Sequence, residues 1–145
     1  MCIRDSAQEA VFNTSPNGDA NGVWMSGAGP AADANGNIYF ATGNGPWDAT
    51  GDYGDSIVKL GPPVNNGFPV EDYFTPYNQG SLDNGDVDVA SGGLVLLPTL
   101  PSGQQLIAQQ GKQGNIYLLN ANNLGKYCGN LTPACTCLLY TSRCV

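Results

Sequence analysis

Histidine is absent from this chain, and arginine occurs only as Arg4 and Arg143. Five basic residues in all face twelve acidic ones, for a net charge of −7. Nucleic acids and anionic membrane surfaces both call for clustered cations, so neither is an expected partner. The acidic surplus serves solubility first. No apolar run is long enough to cross a bilayer; LVLLP at 94–98 is about one strand long. Cysteine is sparse, and only Cys128 and Cys135 lie away from the extreme ends. Without histidine they make a poor zinc site, which needs four ligands. In CGNLTPAC they either form a disulfide, as an oxidising compartment would permit, or stay as two thiols.

The two ends are related at the level of DNA. MCIRDS at 1–6 and CLLYTSRCV at 137–145 can be encoded by strings that are reverse complements of one another, apart from their outermost bases. Both resemble the transposon end used to prepare sequencing libraries, and no natural protein needs such an inverted repeat. The expectation is that 1–6 and 137–145 are translated library scars and that 7–136 is a piece cut at both ends. Its true start, its stop and any leader peptide then lie outside the window. Between those ends Lys59, Lys112 and Lys126 are the only cations.

Gly, Pro, Asn and Asp punctuate the body every several residues. Between them lie short β-branched or aromatic runs: NIYFAT, SIVKL, EDYF, GGLVLLP, QLIAQQ and NIYLLN. No stretch sustains helical periodicity over three turns, which predicts an all-β protein with closely spaced turns. Asn35-Gly36 is a candidate two-residue hairpin turn with positive φ at both positions, and Asn17-Gly18, Asn21-Gly22 and Asn84-Gly85 are of the same kind. A weak internal repeat is also present. IYFATGNGP…GDSIVKL aligns with LIAQQGKQGNIYLL: an apolar strand ends in Gly43-Asn44 or Gly111-Lys112, a turn follows, and a second alternating strand returns. The first copy carries an insertion at 45–53. With a preceding strand each (GAGPAAD; SGGLVLLP), and EDYFTPYNQ as outer strand of the first, the units read as about two four-stranded blades of a larger β-propeller. The other architecture of this length is a sandwich of about seven strands.

Three stretches in order carry a family resemblance: WMSGAGPAADANGNIYFATGNGPWD at 24–48, YGDSIVKL followed by DYFTPYNQ, and GKQGNIYLLNANNLG at 111–125. Together they resemble the quinoprotein-type β-propellers built from pyrroloquinoline quinone (PQQ) repeats, over most of 22–127. In PQQ-dependent alcohol dehydrogenases a segment like TGNPxPW supplies an Asn to the calcium ion beside the quinone. The resemblance places Asn44 there, a neutral oxygen ligand suited to a hard cation. An aspartate soon after this segment takes the alcohol proton in those enzymes, and Asp52 and Asp55 fall in the comparable interval. By the same resemblance Trp47 would lie over the cofactor and Lys112 would contact the quinone, which does the redox chemistry.

Each of these residues also has a structural reading. Asn44 caps a strand end, Trp47 packs between blades, Asp52 and Asp55 form turns, and Lys112 is a solvated hairpin lysine. The acidic run Asp83, Asp86, Asp88 lacks the central glycine and distal glutamate of an EF-hand loop and reads as a turn. Asn130-Leu131-Thr132 is an N-glycosylation acceptor in a eukaryotic secretory setting. The chain departs from the enzymes: the Asn44–Trp47 segment is a residue shorter, no Lys-Trp follows GDYGDS, and no adjacent cysteine pair occurs. The expectation is therefore a piece of a periplasmic or secreted propeller that acts as a non-catalytic binding or scaffolding module. Its partners would be the missing blades or another protein. The alternative is a PQQ- and calcium-dependent dehydrogenase of alcohols or sugars.

Overall fold

In the computed structural model the described residues are 8–127, Gly129 and the backbone of a strand at 138–143. The Cys128–Cys135 pair, the Asn130 tripeptide and 1–6 lie outside them. The chain is all-β, with two sheets and little helix. β1 (Ala31–Ala32), β2 (Ile38–Ala41), β3 (Ile57–Leu60) and β4 (Val70–Thr75) follow one another as an antiparallel meander. β5 (Leu94–Leu96), β6 (Leu106–Gln110) and β7 (Asn115–Asn120) form a second meander. These are the six apolar runs of the sequence plus one short leading strand, with every pairing between chain neighbours.

Two strands extend this pattern. β8 (Lys126–Tyr127) returns to the first sheet and pairs in parallel with β4, which makes that sheet five-stranded rather than four-stranded. β9 (Leu138–Arg143), in the segment set apart at the DNA level, lies antiparallel along β7. An open strand edge is a row of unpaired N–H and C=O groups, and it templates whatever extended segment reaches it.

The turns depart from expectation in an instructive way. Asn35 keeps a negative φ and only Gly36 is left-handed (φ 81°), so 33–37 is a longer turn in which Gly36 N–H bonds Asp33 O at 3.1 Å. The two-residue turn sits instead between β3 and β4. There Val64 and Gly67 exchange backbone hydrogen bonds of 2.8 and 3.0 Å around Asn65 (φ 52°) and Asn66 (φ 65°). Mirror-image turns of this kind match the right-handed twist of the strands, and Asn tolerates positive φ. EDYFTPYNQ is also shorter as a strand than expected. β4 stops before Pro76, and α1 (Gln79–Asn84) follows, begun by Gln79 N–H on Pro76 O.

The sheets differ in how they are covered. On β2 and β3 nearly every residue is buried, so both faces are packed. One face meets the second sheet, where Phe74 lies 5.5 Å from Tyr117. On the other, Phe12 of the N-terminal segment lies 6.1 Å from both Phe40 and Tyr53. β6 and β7 instead alternate. Ile107, Gln109, Tyr117 and Leu119 point inward, while Leu106, Ala108, Ile116 and Leu118 stay partly exposed. Each fully buried Ile, Leu or Phe contributes about 1.5–3 kcal/mol, so the stability is concentrated around β2, β3 and the facing side of the second sheet. Placing a β-branched residue at a left-handed position costs about 1–2 kcal/mol. Asn66→Val is therefore expected to lower stability by that amount while Asn66→Gly is nearly neutral, as read from denaturation midpoints in dilute solution. Equal midpoints for both variants would contradict the turn.

Candidate functional site

The 42–56 connection between β2 and β3 is long because it carries the 45–53 insertion, and it is fastened at its base. Thr42 N–H bonds Ser56 O at 2.9 Å, Asp55 N–H bonds Gly43 O at 2.8 Å, and Gly54 N–H bonds Pro46 O at 2.9 Å. Asp48 folds the insertion on itself by accepting the N–H groups of Thr50, Gly51 and Asp52 at 2.8, 2.9 and 3.0 Å. Those three N–H donors hold its carboxyl well below the usual range. Gln79 of α1 donates to Gly45 O at 2.8 Å. A β-carbon on Gly54 would stand 1.9 Å from that same carbonyl, so only glycine closes the loop here.

At the mouth of this loop three segments converge on Asp88, which precedes the short 3-10 helix Val89–Gly92. Asp88 Oδ1 accepts the backbone N–H of Asn44 at 2.9 Å, and Oδ2 forms an ion pair with Lys112. The Asp88 carbonyl also accepts the Lys112 N–H at 3.0 Å. The carboxylate is nearly inaccessible while Lys112 remains partly exposed, so Lys112 brings solvent-facing charge to a buried anion. Burial alone would raise the Asp88 pKa, but Lys112 and the Asn44 N–H outweigh it and hold it below the ordinary value. Lys112 also reaches Asp86, donating to its carbonyl at 3.0 Å, and its ammonium stands 5.6 Å from the ring centre of the half-exposed Trp24. Trp24 and Asp88 fill the space above Gly43, where a β-carbon would meet Trp24 Nε1 at 2.6 Å and Asp88 Oδ1 at 2.7 Å.

Asp55 lies beneath this cluster, fully buried, with φ 49°. Its Oδ1 accepts the N–H of Val89 at 3.1 Å and its Oδ2 has no hydrogen-bond partner among the described residues. Burial raises its pKa to about 7, and the neighbouring Asp88 carboxylate adds to the shift. Gln109, on β6, is equally buried; its Nε2 donates to Val89 O at 2.7 Å and its Oε1 is also unpartnered.

Three of the residues named from sequence thus meet: Asn44, Asp55 and Lys112. Asn44 takes part through its backbone rather than its carboxamide. Asp52 and Trp47 do not join them. Asp52 Oδ1 accepts the N–H of Asn17 at 3.0 Å and fastens the N-terminal loop to the insertion. Trp47 stacks on Tyr127 at 4.2 Å and bridges to Tyr53. Asp88, read from sequence as a turn residue, is the centre of the site; the repeat aligned Gly43-Asn44 with Gly111-Lys112, the two positions that meet on it, but did not single it out. For calcium the donor set does not fit. A dication needs six to eight oxygens, whereas Asp88 is taken by an ammonium and an N–H, and Asn44 presents an N–H toward it. Among the described residues no three His, Cys, Asp or Glu side chains are grouped to hold a metal ion. No family model, curated protein or solved structure matches the chain.

The two carboxylates act on stability with opposite signs. Asp55 ordinarily titrates at 3.8 and here at about 7, so its contribution is complete below about pH 4 and is lost as pH rises through 7. Asp88, held below its ordinary value, contributes above that value and loses its contribution on acidification. Asp55→Asn keeps the Val89 acceptor and tolerates the left-handed backbone. It is expected to abolish the decline in stability between about pH 4 and 7. Asp55→Ala, which strands a buried N–H, should be about 1–3 kcal/mol less stable than Asp55→Asn at every pH. Denaturation midpoints against pH decide this, and a decline retained in Asp55→Asn would assign it to another group.

Proposed function

We propose that the chain is part of a PQQ-repeat-type β-propeller and serves, outside the cytoplasm, as a non-catalytic binding or scaffolding module. The observation that carries this reading is the outward face of the second sheet. Val95, Ala108 and Leu118 stand side by side across β5, β6 and β7, flanked by Leu106 and Ile116. Val95 is 57 % exposed. A sheet that ends against water alternates apolar inward with polar outward; this one is apolar on both faces and calls for a further layer. The two sheets would then be adjacent blades, the first covered on both faces and the second awaiting its neighbour. A sandwich complete in two layers would leave that row polar.

The non-catalytic half of the reading is supported by the Asp88 cluster, where Lys112 already neutralises the carboxylate beside Asn44. The dehydrogenase reading keeps one observation in its favour. Asp55 is a buried carboxyl with one oxygen unbonded among the described residues and a pKa near neutrality, which is what a general base requires.

Two measurements test these statements. Sedimentation velocity on the full chain should show concentration-dependent association that Leu118→Lys suppresses. A monodisperse wild-type chain that melts cooperatively would refute the missing-blade reading. Calorimetric titration with calcium should give no saturable heat. Saturable binding that is lost in Asn44→Ala or Asp55→Asn would overturn the scaffold reading in favour of the enzyme.

A further inference from the structure

A second concave site lies at the opposite end of β2 and β3 from Asp88. A cleft of about 260 Å³ opens between the β1–β2 turn, the β5–β6 loop and the start of the segment after β7. Its wall is predominantly polar: Asp33, Asn37, Lys59, Thr99, Gln105 and Asn122 are its principal side chains. Lys59 differs from the other lysines of the body. Lys112 and Lys126 are paired with Asp88 and Asp72, whereas Lys59, among the described residues, has no carboxylate partner. Its ammonium donates to Ala121 O at 3.3 Å and lies 5.5 Å from the buried ring of Tyr39, leaving donors free toward the cleft.

Asp33 does not neutralise it. That carboxylate is spent on its own turn, accepting from Asn35 N and Asn37 N at 2.9 and 3.0 Å, from Asn37 Nδ2 at 2.7 Å and from Tyr39 Oη at 2.9 Å. Gln105 uses one amide hydrogen on Leu97 O at 3.1 Å, and its carbonyl oxygen accepts no hydrogen bond among the described residues. Among the described residues the side chains of Thr99 and Asn122 make no hydrogen bond. The cleft therefore offers one cation, one anion and several groups that can both donate and accept. A single small anion would use only the lysine, and an apolar ligand would strand every other group. Hydroxyl groups, each both donor and acceptor, match the whole set. Pockets for drug-sized ligands begin at about 300 Å³, so this one suits a single ring.

We propose that this cleft is a binding site for a neutral polyhydroxylated ligand the size of one monosaccharide unit, with Lys59, Gln105 and Asn122 as the recognising side chains. It uses only described residues, from β3 and the loops around it, and does not rest on the propeller reading. With no aromatic face open for stacking, the expected Kd is on the order of millimolar.

Saturation-transfer difference NMR suits weak ligands and tolerates an associating protein. The full chain would be titrated with the methyl glycosides of glucose, galactose and mannose, with sodium phosphate and acetate as competitors. Saturable transfer to at least one glycoside is expected. Lys59→Met and the surface variant Asn122→Ala should each weaken it about two- to tenfold, the range of one net hydrogen bond, with circular dichroism unchanged. An oligosaccharide of the same sugar that binds more tightly would identify a chain end as the ligand, and equal binding would identify the free sugar; both support the site. No transfer from any glycoside, equal transfer in both variants, or displacement by phosphate or acetate would overturn the proposal.

Discussion

The Asp88 carboxylate ties the two sheets together, and the end of the molecule around it is built to reach that one group. Asn44 comes from the strand end of β2 and Lys112 from the turn after β6. These positions align in the internal repeat, so the two copies meet their shared anion from either side. Both preceding residues are glycines because there is no room for more. Gly43 is overlaid by Asp88 Oδ1 and Trp24, and a β-carbon on Gly111 would stand 2.8 Å from Asp88 O. A buried carboxylate is tolerated only when its charge is paired and its oxygens are bonded. Lys112 supplies the charge and the Asn44 N–H supplies part of the bonding. The same ammonium is anchored by Asp86, so the pairing does not depend on one flexible side chain finding its partner.

That tie holds together two sheets of unequal character. The first is covered on one side by the second sheet and on the other by Phe12 and the N-terminal loop, which Asp52 and Asn21 fasten down. It is an interior sheet in the physical sense. The second is half-covered, with an apolar row facing outward and its β5 edge unpaired among the described residues. A free edge and a free apolar face on the same sheet both favour association.

Much of the fold was legible in the sequence because strands advertise themselves locally. Ile38–Ala41, Ile57–Leu60 and Asn115–Asn120 are β-branched or aromatic runs between turn residues, and their order gives the two meanders directly. What was not legible depended on context. α1 is six residues with no apolar period, and Pro76 sets its start rather than any helical preference. Asn35-Gly36 and Asn65-Asn66 look equally able to form a mirror-image turn; the Asp33 carboxylate draws the first into a longer loop by bonding three of its groups. β8 joins the first sheet by a parallel pairing that no local signal announces. At the site, Asn44, Asp55 and Lys112 could be named from sequence, but Asp88 could not be ranked above Asp83 or Asp86. Its importance comes from a hydrogen bond that spans 44 positions.

The charge balance around Asp88 also explains why Asp55 stands apart. Two buried carboxylates lie beside a single ammonium, and of the two only Asp88 is in direct contact with it. Asp55 feels Lys112 only at a distance, and burial together with Asp88 pushes the other way. When one cation must serve two anions, the one in contact keeps its charge and the other is left to a proton. Asp55 is the better placed of the two to be neutral, because its Oδ1 already receives the Val89 N–H and a proton can reside on the unpartnered Oδ2. The Asp88–Lys112 pair and the raised Asp55 are therefore one arrangement rather than two. Removing the ammonium would raise both carboxyls at once, and removing Asp88 would leave Lys112 on Asp86 while lowering Asp55.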